Sequence, residues 1–138
     1  MINEIQSNLK QFNKEVDVFV KTLVPEKVVL LQKKIVLEAL KRLVLKTPVD
    51  TGRARANWQV TIGRSATAAI EAVDKSGGDT IKKGLAAIGD LPPYQVVWIS
   101  NNVDYIEFLE EGSSRQAPEG MMSLTLEELN ILFSKAVE

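Results

Sequence analysis

The sequence of 138 residues contains no cysteine and no histidine. Without cysteine there is no disulfide, no thiolate nucleophile and no zinc site built on sulfur, which suits folding in a reducing compartment. Without histidine, the side chain that titrates near neutral pH and the commonest metal ligand are both missing. Any catalysis would have to run on Asp, Glu, Lys, Tyr or Ser with displaced pKa values. A dominant charge is absent too: 17 Lys and Arg against 18 Asp and Glu leave a net charge of −1, which gives no long-range field to collect nucleic acid or anionic membrane. No apolar run approaches the ~18 to 20 residues needed to span a bilayer. The opening MINEIQSNLKQFNKEVDVFV interleaves charged and apolar residues, unlike a secretory leader. These absences lead us to expect a soluble protein made in the cytoplasm, with no cofactor, no metal and no membrane partner.

What is present is 45% hydrophobic content, enough for one domain over 1–138 with a single core. Ile2, Ile5, Leu9, Phe12, Val16, Phe19 and Leu23 recur at spacings of 3, 4, 3, 4, 3 and 4, a heptad seam over residues 1–24. It predicts an amphipathic helix that packs either on its own core or on a neighbouring subunit. Pro25 interrupts the pattern and suits the first turn of a second helix. That helix, 26–46, is apolar over most of its circumference and should therefore be covered on two sides.

Thr47, Pro48, Val49, Asp50, Thr51 and Gly52 end the helix in a turn, with Asp50 placed to accept backbone N–H bonds. Ala56, Trp58, Val60 and Ile62 then alternate with polar residues as in a strand with one buried face, and Trp58 would anchor it. Residues 66–73 are a weak second strand or an exposed arm. A short helix is expected over roughly 78 to 89, with Asp74, Ser76 and Asp79 as candidate caps. YQVVWIS, 94–100, reads as a central strand. DYIEFLEEG reads as a helix capped near Asp104 and closed by Gly112. In the last helix Thr125 and Glu128 have capping-box spacing, and Leu126, Leu129, Leu132, Phe133 and Val137 mark the buried stripe. The predicted class is α+β: two N-terminal helices, the second long and apolar, a small antiparallel or mixed sheet, a short middle helix and a C-terminal helix.

Asp104, Glu107, Glu110 and Glu111 form an acidic group in which Glu107 and Glu110 or Glu111 would share a helix face. A metal-dependent hydrolase using Asp104, Glu107 and Glu110 is one reading. The plainer reading is a solvated face with one carboxylate answering Arg53, Arg55 or Arg115. The glycines of SGGDT and GLAAIG lack the spacing of a phosphate-binding loop and are turn and helix-end residues. Tyr94, Trp98, Tyr105 and Phe108 are not interleaved with basic residues and are better explained by core packing than by base stacking. A third reading is a small adaptor that binds a partner helix in a groove between the first two helices.

Two stretches go further. TPVDTGRARANW (47–58) and WISNNVDYIEFLEEGSSRQAPEGMMSLTLEEL (98–129) resemble the paired signatures of the tail-completion, or head-to-tail joining (neck), proteins of long-tailed bacteriophages and their prophage relatives, including those called minor tail protein Z. The matching positions are Thr47 to Gly52, Trp58, Asn101, Asn102, Tyr105, Leu109, Glu110, Gly112, Gln116, Ala117, Pro118, Gly120 and Met121. Asp104 and Ile106 stand where that family often has Pro and Ala. The resemblance covers most of 40–130, within a core of 25–138, and leaves out the N-terminal helix.

It implies a non-enzymatic virion protein, assembled in the host cytoplasm and then part of the tail or neck. Such proteins form rings, commonly sixfold, at the head-proximal end of the tail. The partners implied are further copies of the chain, a tail-tube or tail-terminator protein and the head–tail connector; non-specific contact with DNA in the channel is compatible with that place. Arg53, Arg55, Glu111 and Arg115 are the candidate interface residues.

Overall fold

A computed structural model describes residues 2–21 and 23–137, without the side chains of 2, 3, 20, 136 and 137. Helix α1 (Ile2–Val20) buries Ile5 and Phe12 and half-buries Val16 and Phe19. Its seam lies on α6 (Met122–Val137), where the Phe133 ring meets Phe12 and Phe19 edge-on at centroid distances of 6.0 and 5.5 Å. Edge-to-face aromatic pairs add about 0.5–1.5 kcal/mol each beyond area burial. The heptad pattern is thus used within the chain. Ile2 and Val137 have side chains outside the described set.

Helix α2 (Pro25–Lys46) begins with Pro25 in its first turn, after an extended Val24. Val28, Val36, Ala39, Leu40, Leu43 and Val44 are buried against α6 and against α4 (Gly78–Ala87). Leu30, 68% exposed, and Leu45 lie on the other side. The two-sided cover expected for this helix thus comes from α4 and α6, and Leu30 and Leu45 are the apolar side chains it leaves exposed. The turn after α2 leads into a single helical turn, α3 (Arg53–Ala56), and then β1 (Gln59–Ile62). The strand is thus shorter than the alternation from Ala56 suggested, because Ala56 still belongs to α3. Trp58 is buried as expected, in a cluster with Leu40, Val44, Val60, Ile88 and Met121.

Strand β2 (Val97–Ser100) pairs antiparallel with β1, Val60 opposite Ile99 and Thr61 opposite Trp98. Helix α5 (Ile106–Glu110) follows it. With six helices and one two-stranded antiparallel sheet among the described residues, the class is α+β. Two expectations are corrected. YQVVWIS does not supply a central strand, since a two-stranded sheet has only edge strands. Tyr94, Trp98, Tyr105 and Phe108 are exposed, so core packing does not account for them. Of the two readings of residues 66–73, strand or arm, the structure forms the arm, with neither helix nor strand there. It is held by side-chain amides: Asn57 brackets the backbone of Ile70, Gln59 donates to the Ala68 carbonyl, and Asn102 donates to that of Ala66.

Glu128 joins α6 to α2 through Lys46 at 2.7 Å and the Arg42 Nε–H at 2.7 Å. The hydrogen bond from Lys46, then Arg42, holds this carboxyl below its ordinary range despite partial burial. A depressed carboxyl contributes stability above its unfolded pKa and loses it as pH falls through the folded value. Glu128→Gln should therefore lower the unfolding midpoint at neutral pH, by no more than about 1 kcal/mol for this partly exposed network. The difference from wild type should vanish once pH drops below the carboxylate range. Thermal unfolding of both proteins across that range checks this, and a pH-independent difference would contradict it.

Candidate functional site

The stretches 47–58 and 101–121 meet in one corner, built almost wholly from side chains that satisfy distant backbone groups. Thr47 caps the C-terminus of α2 and is fully buried. Its hydroxyl donates to the Leu43 carbonyl at 2.6 Å and accepts the Trp58 indole N–H at 2.7 Å. That one hydroxyl joins the end of α2 to the entry of β1. Arg55 completes the cap: its guanidinium donates to the carbonyls of Thr47, Leu45 and Lys75 at 2.8–3.0 Å. Carbonyls left over at a helix C-terminus are satisfied and complemented by such a cation.

The turn itself depends on Gly52, at φ +91°, whose carbonyl accepts the Asp74 N–H at 3.0 Å. A Cβ here would stand 2.7–2.8 Å from the backbone of Asp74 and Lys75. The expected Asx turn at Asp50 is not formed. The Arg53 N–H goes to the Thr51 hydroxyl instead, at 3.2 Å, and Asp50 is exposed. Asp74 does cap α4, although it sits outside the helix. It accepts the N–H groups of Gly77 and Thr80 and the hydroxyls of Thr80 and Ser76. Desolvation opposes its ionisation, but these bonds, Thr80's foremost, outweigh it and hold its pKa low. Ser76 accepts the Gly78 N–H, while Asp79 is exposed and caps nothing.

Gln116 and Asn101 tie the second stretch to the first. The Gln116 amide brackets Val49, accepting its N–H at 2.8 Å and donating to its carbonyl at 3.0 Å. Asn101 donates to the Ala54 carbonyl at 2.9 Å. Helix α5 ends in a Schellman turn at Gly112, with the Ser113 N–H on the Phe108 carbonyl and the Gly112 N–H on that of Leu109. Asp104 does not cap its start, which has no side-chain cap.

Glu110 is 7% exposed and turns toward the start of α6. Its carboxylate accepts the N–H groups of Met121, Met122 and Ser123 and the Ser123 hydroxyl, at 2.7–3.2 Å. This is the N-cap of α6, delivered from another helix. Thr125 and Glu128 are not a capping box: Thr125 lies buried inside α6, its hydroxyl without a partner among the described residues. Gly120 lets the two segments meet, since a Cβ there would be 2.3 Å from the Glu110 carbonyl oxygen. Ala117 and Met121 are buried beside them in the core.

Between the two stretches lies a cleft of about 370 Å³, lined by Pro48, Asp50, Arg53, Tyr105, Leu109 and Gln116 among others. Arg53 makes no side-chain hydrogen bond or ion pair among the described residues, whereas Arg55 is fully engaged by carbonyls. Glu111, Arg115 and Pro118 are exposed and Asn102 is tied to the arm. None of the candidate arginines pairs with Glu110 or Glu111. Asp104, Glu107 and Glu110 do not converge, and the described residues hold no group of three or more acidic side chains able to share a metal ion. The side chains that sequence reasoning missed are Glu110 as a cap, Gln116 as a brace and Asn57 as the anchor of the arm. An asparagine next to a core tryptophan was the one available signal.

Comparison with family models, with curated proteins and with solved structures gave no match to this chain. No described helix is long and apolar enough to cross a membrane.

Two measurements test the corner. Glu110→Gln keeps the shape but sets an amide NH₂ against N–H donors, and should cost about 1–3 kcal/mol in urea unfolding, as expected when buried donors lose their acceptor. Exposed Glu119→Gln should stay within about 0.5 kcal/mol. Gly52→Val should cost more than ~2 kcal/mol, from the left-handed backbone and the clash with residues 74–75. Equal stability of the Glu110 and Glu119 variants would refute the capping role.

Proposed function

We propose that this chain is a structural, non-enzymatic component of a tailed-phage or prophage particle. In this reading it forms a ring at the head-proximal end of the tail, completes the tail and joins it to the head connector. The observation that supports the reading most is that the two stretches carrying the resemblance, far apart in sequence, are braced against each other by Gln116 on Val49 and Asn101 on Ala54. A paired signature has a physical reason to persist when each half satisfies the other's backbone. The apolar surface left on α2 at Leu30 and Leu45 is suited to a neighbour in an assembly. Ring closure requires each subunit to offer two different complementary faces. In this reading Arg53, unengaged and lining the cleft, belongs to such a face.

Arg53→Ala should leave the unfolding midpoint within about 0.5 kcal/mol of wild type while weakening assembly on tails. Electron microscopy of lysates from a phage carrying an amber mutation in this gene tests the role itself. Heads and tails should accumulate unjoined, and normal infectious virions would overturn the proposal.

A further inference from the structure

The stretch from Leu91 to Val103, LPPYQVVWISNNV, carries no charged residue, and it contains β2. The ladder to β1 shows which backbone groups of β2 are in use. The Gly63 N–H donates to the Val96 carbonyl at 2.7 Å, and in the same register Thr61 pairs with Trp98 and Gln59 with Ser100. Hydrogen-bonded and non-hydrogen-bonded pairs alternate along an antiparallel ladder. The Val60–Ile99 and Ile62–Val97 pairs are therefore the non-bonded ones. The N–H and C=O groups of Val97 and Ile99 point away from β1, and no bond to any of them is made among the described residues. Exposed edges are normally blunted by shortness of the strand, by a lysine or a proline, or by a bulge; β2 is short, at four residues, but carries no lysine, proline or bulge. On its outer face stand Val96, 58% exposed, and Trp98, 43% exposed.

We propose that this edge is an interface on which β2 of a second copy adds antiparallel, giving a four-stranded sheet in the order β1–β2–β2–β1. The occupant must be a short extended segment with its own free edge and no charge to bury, and β2 itself meets that description. Only one register about a two-fold axis both stays within the strand and uses every free group of Val97 and Ile99. It sets Val97 opposite the partner's Ile99 and Ile99 opposite the partner's Val97, each pair exchanging two backbone hydrogen bonds, four in all. Trp98 then lies on the axis, in a non-bonded pair with its own copy, where directly opposite side chains approach most closely. An exposed tryptophan with no ring partner among the described residues finds one in its own copy. This pairing is independent of the ring assembly proposed above.

Sedimentation equilibrium of the full chain tests it, using wild type, Trp98→Glu, Trp98→Lys and an equimolar mixture of the two variants. Circular dichroism confirms that each variant keeps the fold, which the exposure of Trp98 favours. Wild type should show concentration-dependent association to twice the monomer mass, with exciton coupling between the paired indoles. Each variant alone should lose at least tenfold in association, because like charges would face each other across the axis. The mixture should recover it, because Glu then faces Lys. Wild type that stays monomeric at millimolar concentration, variants that associate like wild type, or a mixture no better than its components would each overturn the pairing. A hexamer insensitive to both substitutions would overturn it while leaving the ring reading standing.

Discussion

Three N–H groups at the start of α6 and one serine hydroxyl converge on a single buried carboxylate, that of Glu110. Helix N-termini leave N–H groups without internal partners, and burying them unpaired costs about 1–3 kcal/mol per group. Because the cap comes from α5 and not from the residues just before α6, it also ties the start of α6 to α5. The contacts that hold the two N-terminal helices lie further along the same helix. Phe133 on α6 is the ring against which Phe12 and Phe19 of α1 pack, and Glu128 on α6 is the anion that Arg42 and Lys46 of α2 hold.

The sheet is too small to organise the rest. Two strands of four residues give few ladder bonds, and a lone hairpin-sized sheet is marginal in water. Side-chain amides and hydroxyls do the joining elsewhere: Thr47 between α2 and Trp58, Gln116 on Val49, Asn101 on Ala54, Asn57 on the arm. Where they are buried, as at Thr47 and Trp58, such bonds specify position closely, since a buried polar group displaced from its partner loses the bond and keeps the desolvation cost. The cleft between residues 48–54 and Tyr105, Leu109 and Gln116 is framed by them, so its shape belongs to the fold and not to loose loops.

Much of the architecture was legible in the chain because it is encoded locally. The heptad seam of α1, Pro25 at the start of α2, Trp58 as a core residue and Gly112 as the end of α5 each follow from periodicity or backbone sterics within a few positions. The candidate site was legible as motifs but not as roles. Arg55 and Glu110 look alike in sequence as charged residues near a turn, yet one closes the end of α2 and the other opens α6. The capping-box reading of Thr125 and Glu128 failed for the same reason: a local cap was available by spacing, but a distant carboxylate occupied the helix start a turn earlier.

By itself the sequence determined the α+β class, the order of elements apart from the single turn α3, and the turns at Gly52 and Gly112. These rest on short-range geometry that every chain with these residues must obey. It also determined that no thiol or imidazole is available for chemistry. Only the tertiary structure decided which polar side chain meets which backbone group, that α1 packs on α6 of the same chain, and that YQVVWIS is an edge with Trp98 exposed. The physical reason is that a hydrogen-bond partner or a covered strand edge comes from chain that is far away in sequence. Composition and spacing carry no record of that until the core has closed.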